Sequence, residues 1–172
     1  MTVSLARADS GVGHTLKSAS KEQYSQCEEQ EQPMIHPLVR DVKMQVDEYV
    51  LQNWDFQDDD SRREFVGQNI SSVASYYFPS ALDDRIYLVS RLLAVLFLIA
   101  ESLIQFDIDD GEEYIEALED AVKGHWLPDE SIPAVWMLCG IFDEIRAQDY
   151  MLADDIIETA FAHLRRFATL ES

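Results

Sequence analysis

Leu92-Leu93-Ala94-Val95-Leu96-Phe97-Leu98-Ile99-Ala100, followed by Glu101-Ser102-Leu103-Ile104 and then by Asp107-Ile108-Asp109-Asp110-Gly111-Glu112-Glu113, is the stretch that decides the fold. A nine-residue apolar run is too short to cross a bilayer. Extended back to Arg91 and forward to Phe106, it reads as a largely enclosed helix in which Glu101 is the only acid before Asp107. An acid at such a place is chemically active, paired, or close to the solvent edge.

The composition around this helix sets the class. A chain of 172 residues, 47% of them hydrophobic, supplies one domain with one real core. Thirty-three Asp and Glu against thirteen Lys and Arg give a formal charge of −20. That charge repels nucleic acid and anionic membranes, so neither nucleic-acid binding nor stable membrane insertion is expected. Cys27 lies in a polar leader and Cys139 in a hydrophobic helix, an arrangement that suits two free thiols in a reducing, cytoplasmic interior. Residues 1–33 are rich in Ser, Gln, Glu and Gly and hold no sustained apolar core. They read as a disordered leader without a secretory signal, and residues 34–172 as the folded domain.

Helical periodicity runs through that domain. Val39, Val42, Val46, Tyr49 and Val50 predict a helix from Leu38 to about Asn53, ending before Asp58-Asp59-Asp60-Ser61. A second is expected from Arg62 to Ser72, with Phe65, Val66 and Ile70 inward. Pro79 closes that segment, since it restricts Phe78 and cannot continue the preceding ladder. The apolar helix then begins near Ser80 to Asp83, with Asp83 and Asp84 in its first turn and Arg85 and Arg91 on its polar side. Glu112 to Lys123 follows and stops at Gly124, then a helix N-capped by Ser131 and lined by Trp136, Cys139, Phe142 and Ile145. A last helix from Leu152 to Ala168 buries Ile156, Ala160, Phe161, Leu164 and Phe167. With no competing strand pattern, the expected object is an all-α bundle of angled helices.

Tyr76-Tyr77-Phe78-Pro79, Ala81-Leu82-Asp83-Asp84-Arg85-Ile86, Arg91-Leu92-Leu93, Val95-Leu96-Phe97-Leu98-Ile99, Leu127-Pro128 and Arg146-Ala147-Gln148-Asp149 together resemble fungal class I sesquiterpene cyclases of the aristolochene synthase type, over roughly residues 35 to 172. The resemblance implies a truncated class I terpenoid-synthase-like helical bundle. In that family the first aspartate-rich motif follows a Phe-Leu-Ile segment and holds part of a magnesium cluster. The corresponding residues here are Ala100, Glu101 and Ile104, and only Glu101 retains a carboxylate. The family's second metal motif, its diphosphate-sensing arginine and its terminal basic residues have no counterpart in this sequence. Diphosphate ionisation by a magnesium cluster needs oxygen ligands that Ala100 and Ile104 lack, so no metal and no other cofactor is expected.

The resemblance also places Tyr77 and Phe97 along the reaction chamber, with Tyr76, Ala100, Ile104 and Trp136 as further lining. Aromatic walls can fold a terpenoid chain by shape and shield an electron-poor centre with their π faces. Glu101 and Tyr77 are the candidate catalytic residues, either of which could polarise a carbonyl or diene partner, while core packing for the aromatics and a solvent-facing rim position for Glu101 remain open. Helices that line a closed chamber would expose apolar faces without their partners, which predicts homodimerisation.

Other chemistry-bearing residues read more plainly. Asp107, Asp109, Asp110, Glu112 and Glu113 are expected as a solvated face with first-turn acids, and Asp83-Asp84 as dipole partners. Asp143, Glu144 and Asp149 near Arg146 belong to a charged helical face. His125 and His163 are expected at the surface and Cys139 as a small buried hydrophobe.

Three functional readings follow. The preferred one is a former cyclase scaffold that acts without metal on a preformed lipophilic terpenoid, by cyclisation, isomerisation or intramolecular cycloaddition. The second is a noncatalytic terpenoid-binding or partner-regulating protein, and the third a magnesium-dependent cyclase completed by another chain.

Overall fold

The computed structural model describes residues 34–170, so the expectations for the leader, for Cys27 and for a signal segment lie outside the described residues. Seven α-helices follow in order: α1 (Val39–Asn53), α2 (Asp59–Gln68), α3 (Val73–Tyr77), α4 (Asp83–Leu103), α5 (Ile108–Val122), α6 (Pro133–Gln148) and α7 (Tyr150–Leu170), with a 3₁₀ turn at Ile70–Ser72 between α2 and α3. The described residues contain no strand.

Helix α4 is the central element, packing on α1, α3, α6, α7 and the 3₁₀ turn. Ile86, Leu88, Leu92, Ala94, Val95, Leu98, Ile99 and Leu103 are all buried along it. The opposing surfaces come from Val42, Val46 and Val50 of α1 and from Ala134, Met137, Leu138 and Ile141 of α6, among others. The whole of α4, unlike its nine-residue apolar run, is long and apolar enough to cross a membrane. Half of its most apolar stretch is buried inside the fold, against the neighbouring helices.

Polar ties fix the helices against one another. Arg91 on α4 donates to Glu144 on α6 at 3.0 Å and lies over the Tyr49 ring of α1 at 5.4 Å. Asp47 on α1 accepts from Lys43 and from the Ser71 hydroxyl of the 3₁₀ turn, each at 2.6 Å. Glu119 on α5 accepts from Lys123 in its own helix and from Arg165 of α7. His36, which sequence periodicity gave no reason to single out, is 2% exposed and bonded at both ring nitrogens. Its Nδ1 accepts from the Leu38 N–H at 3.2 Å and its Nε2 donates to the Ala81 carbonyl at 3.1 Å, so the chain entering α1 is tied to the connector before α4.

Several element boundaries differ from expectation for local reasons. The second helix starts at Asp59 because Asp58 caps it, accepting from the Ser61 N–H at 2.8 Å, and it stops at Asn69, whose φ of 58° is left-handed. It therefore does not run to Ser72. Ser131 is not the cap of α6: Ile132 holds that position with Pro133 in the first turn, while the Ser131 N–H and hydroxyl turn back to Asp129 at 2.8 and 2.7 Å. Helix α5 begins earlier than Glu112, since Asp107 caps it by accepting from the Asp110 N–H at 3.0 Å. On α7 the fully buried isoleucine is Ile157, with Ile156 only packed against the core's edge. Adjacent isoleucines are about 100° apart on a helix, and Ala153, Ile157, Ala160, Phe161 and Leu164 set the buried phase. Gly124 ends the segment after α5 at φ +79°, as the stop predicted there requires.

Two stability outcomes follow. Ile99→Ala removes a side chain with no solvent exposure from the centre of α4, and should cost about 2–5 kcal/mol, read as a lower urea midpoint with unchanged slope. Burial works against the charged form of Glu119, but the hydrogen bonds and charges of Lys123 and Arg165 outweigh it and hold the carboxyl below the usual glutamate range. A carboxyl depressed in the folded state stabilises the fold above its unfolded pKa and loses that contribution as pH falls through the folded value. Glu119→Gln should therefore be less stable than wild type by about 1 kcal/mol at neutral pH. That gap should close as pH falls below about 4 in a pH series of urea titrations; a gap that ignores pH would refute the assignment.

Candidate functional site

Where α4 leaves the core, its C-terminal end, the α1–α2 loop and one face of α2 enclose a groove of about 500 Å³. The loop that forms one wall is held from both sides. Trp54 ends α1 by donating its N–H to the Val50 carbonyl at 2.8 Å, and the Phe56 N–H returns to the Trp54 carbonyl at 3.2 Å. Arg62 donates to the Leu51 carbonyl at 2.7 Å while its guanidinium lies 5.6 Å from the Phe56 ring centroid. Phe56 in turn meets the buried Phe65 of α2 in a tilted pair at 5.8 Å.

Five aromatic side chains line the groove: Trp54, Phe56, Phe65, Phe97 and Phe106. Phe106 is braced by Tyr114 at 5.3 Å, and that ring's phenol is pushed above its ordinary pKa by burial. Between the aromatics stand Asp55, Glu64 and Glu101, the amides of Gln57, Gln68 and Gln105, and the hydroxyls of Ser61 and Ser102. Ser102 is turned back on its own helix, donating to the Leu98 carbonyl at 2.9 Å. Glu101 is exposed at the rim, with no hydrogen-bond or ion-pair partner among the described residues. It has none of the apolar enclosure that a desolvated general acid needs.

Of the residues singled out in the sequence, the structure brings Glu101 and Phe97 together here. Ala100 and Ile104 flank Glu101 on the chain but do not line the groove, Ala100 being half-buried and Ile104 50% exposed. Tyr76 and Tyr77 are exposed at the end of α3. The Ala81 N–H bonds the Phe78 carbonyl at 3.1 Å, which keeps that end beside the start of α4. Glu101 lies eighteen residues beyond Asp83, about 27 Å along the helix axis, so Glu101 and Tyr77 do not meet within one copy. Trp136 is half-buried on α6, packed against the core and outside the groove. Trp54, Asp55, Phe56, Phe65 and Phe106 are the lining that periodicity missed. The aromatic-acid-aromatic triplet Trp54-Asp55-Phe56 just past a helix end was the available signal.

Several acids elsewhere are engaged in structure. Asp107 is a cap, Asp83 is an exposed first-turn acid 3.9 Å from His36, and Asp143 pairs with Arg146 at 3.0 Å. His125 is exposed and bonded to Asp120 at 2.9 Å, and His163 is exposed. Cys139 is a free, 7% exposed thiol, pushed up first by burial and then by Asp143, against the opposing charge of Arg146. Among the described residues no three His, Cys, Asp or Glu side chains converge as metal ligands do. At the end of α4, where the resemblance implies magnesium, Ala100 and Ile104 bring no oxygen and Glu101 stands alone, so this donor set does not fit a magnesium cluster.

No family model matches the chain. It is 42% identical over 134 residues to an aristolochene synthase of Aspergillus terreus, a match covering 78% of this chain and 42% of that protein. It is 38% identical over 134 residues to (+)-aristolochene synthase TS1 of Penicillium expansum, covering 78% and 40% respectively. The crystal structure of aristolochene synthase from Penicillium roqueforti superposes with a TM-score of 0.77 at 38% identity, over 81% of this chain and 48% of that one. The chain thus spans about two fifths of the length of the curated relatives it matches. In sequence and in its all-helical fold, it is a homologue of the fungal aristolochene synthases.

Proposed function

We propose that this chain is a terpene cyclase-like protein that takes a preformed lipophilic terpenoid into the groove beside Glu101 and promotes its metal-independent cyclisation or isomerisation. One observation carries the reading: five aromatic side chains and a single α4 carboxylate line one groove, while alanine and isoleucine hold the neighbouring positions where the resemblance places metal contacts. A hydrocarbon chain pressed against Trp54, Phe97 and Phe106 is confined to a few folded conformers, and confinement lowers the barrier of an intramolecular step. A cycloaddition then exchanges two π bonds for two C–C σ bonds and needs no external proton or electron. An isomerisation instead uses Glu101 to take a proton from one carbon and return it to another, shifting the double bond between them.

Homodimerisation belongs to the same proposal. Tyr76, Tyr77, Phe78 and Leu82 are 55%, 76%, 50% and 61% exposed around the start of α4, and a second copy would remove that apolar surface from water. A cytoplasmic setting fits the free thiol of Cys139. The exposure of Glu101 favours a second reading, in which the groove carries a terpenoid without turning it over.

Incubation with a mixture of sesquiterpenoid intermediates, with and without chelator, followed by mass-resolved chromatography, separates these readings. Formation of a same-mass product that is indifferent to chelator is the expected outcome. Glu101→Gln should lower its rate by about 10²-fold with little change in ligand affinity, if Glu101 moves the proton. An unchanged rate removes Glu101 from the chemistry, and retention of unaltered ligand favours the carrier. Magnesium-dependent pyrophosphate release on adding a second protein would establish instead a cyclase completed by another chain. Sedimentation should show a dimer that Tyr77→Glu weakens, and a monomer at every concentration would refute self-association.

A further inference from the structure

We infer that Arg62 is a positioning residue for the groove: it fixes Phe56, and through Phe56 the loop wall, in the shape that a lipophilic ligand meets. The inference rests on the reading of this groove as the ligand site and names the side chain that sets one of its walls.

Arg62 borders a different space from the ligand. It lines a surface depression between α1 and α2 with Met44, Leu51 and Val66, while Phe56 and Phe65 line the groove. Its guanidinium sits where two demands meet. Helix α1 has no basic residue in its last turn, and Leu51 is one of the helix's last four residues, whose carbonyls lack partners in its own ladder. Arg62 supplies that end from α2, donating to the Leu51 carbonyl at 2.7 Å and setting a positive charge at the negative end of the helix dipole. Held there, the same cation lies 5.6 Å from the centroid of the Phe56 ring.

Phe56 therefore has two partners on α2, the Arg62 cation and the buried Phe65 ring at 5.8 Å. A loop side chain held by protein contacts alone needs little further ordering when a ligand packs on it, and the ordering cost it spares appears as affinity. Lys43 ties α2 to α1 by a separate bond, to the Val66 carbonyl at 3.2 Å. Removing the Arg62 cation thus frees the Phe56 ring while α2 keeps that tie and its Phe65 anchor.

Farnesol, titrated by calorimetry below its aggregation concentration, probes the groove, and urea titration of the same proteins reports stability. Arg62→Met keeps the aliphatic stem, removes the cation, and should weaken farnesol about five-fold. Arg63→Met makes the same change in charge one residue along, on an exposed side chain paired with Asp60, and should leave the affinity within about two-fold. A double-mutant cycle with Phe56→Leu then tests the route. If Arg62 acts through the ring, Arg62→Met adds less than about two-fold to the loss that Phe56→Leu already causes. An effect of Arg62→Met that is the same with and without the Phe56 ring would overturn the inference, as would an equal loss in Arg63→Met. So would a lowered urea midpoint with unchanged farnesol affinity, which is the mark of a structural tie alone. Phe97, which lines the groove from α4, separates the two levels of the argument. If Phe97→Ala weakens farnesol and Arg62→Met does not, only the positioning role fails. If the wild type does not bind farnesol, or if neither Phe97→Ala nor Phe56→Leu changes its affinity, the groove is not the ligand site and the functional reading fails with it.

Discussion

The removal of α4 from water is the constraint on which the rest of the structure depends. Its buried positions run from Ile86 to Leu103 in a helix that packs against α1, α3, α6 and α7. A helix apolar on so much of its surface is stable only when other helices wrap it. The wrapping here is incomplete: Val89, Leu93, Leu96, Phe97 and Ala100 keep partial exposure. Arg91 marks the boundary between the two conditions, its guanidinium lying over the Tyr49 ring and bonded to Glu144, so that one side chain registers α1, α4 and α6 together.

The entry into this assembly is fixed by His36. Because Nδ1 accepts from the Leu38 N–H, the ring proton belongs on Nε2, where it meets the Ala81 carbonyl. The backbone N–H of the same residue donates to the Ser75 carbonyl at 2.9 Å, and its carbonyl accepts from the Val39 N–H at 3.1 Å. Four bonds from one buried residue close the junction between the chain entering α1, the α3 segment and the start of α4. Buried polar groups are tolerated on such terms, and a hydrophobic residue of similar size would leave the Ala81 carbonyl and the Leu38 N–H without these partners.

The fold was legible in the sequence because helical periodicity and the apolar run are dense signals, and the resemblance added the family. What failed to read was decided by short-range polar bonds. Asp58 and Asp107 looked like members of acidic runs and are helix caps; Ser131 looked like a cap and is the partner of Asp129. The site was legible in part. Glu101 and Phe97 stood out because α4 is where the pattern is most regular, and they do share a groove. The opposite wall comes from a loop, where period says nothing, and so Trp54 and Phe56 were invisible. Glu101 and Tyr77, each a catalytic candidate, lie apart, because Tyr77 sits by the start of the 21-residue α4 and Glu101 near its end.

The same geometry makes the end of α4 the part of that helix where side chains can change with least effect on the fold. Ala100, Glu101 and Ile104 lie where α4 passes from core to solvent: Ile99 is fully buried, Glu101 is exposed, and Leu103 is the last buried residue of the helix. Exposed residues such as Glu101 and Ile104 contribute little to packing there, so exchanges at those positions cost little stability, while the half-buried Ala100 still packs against the core. Such exchanges act directly on the groove, whose described lining pairs an aromatic wall with Glu101 as the one carboxylate that α4 contributes.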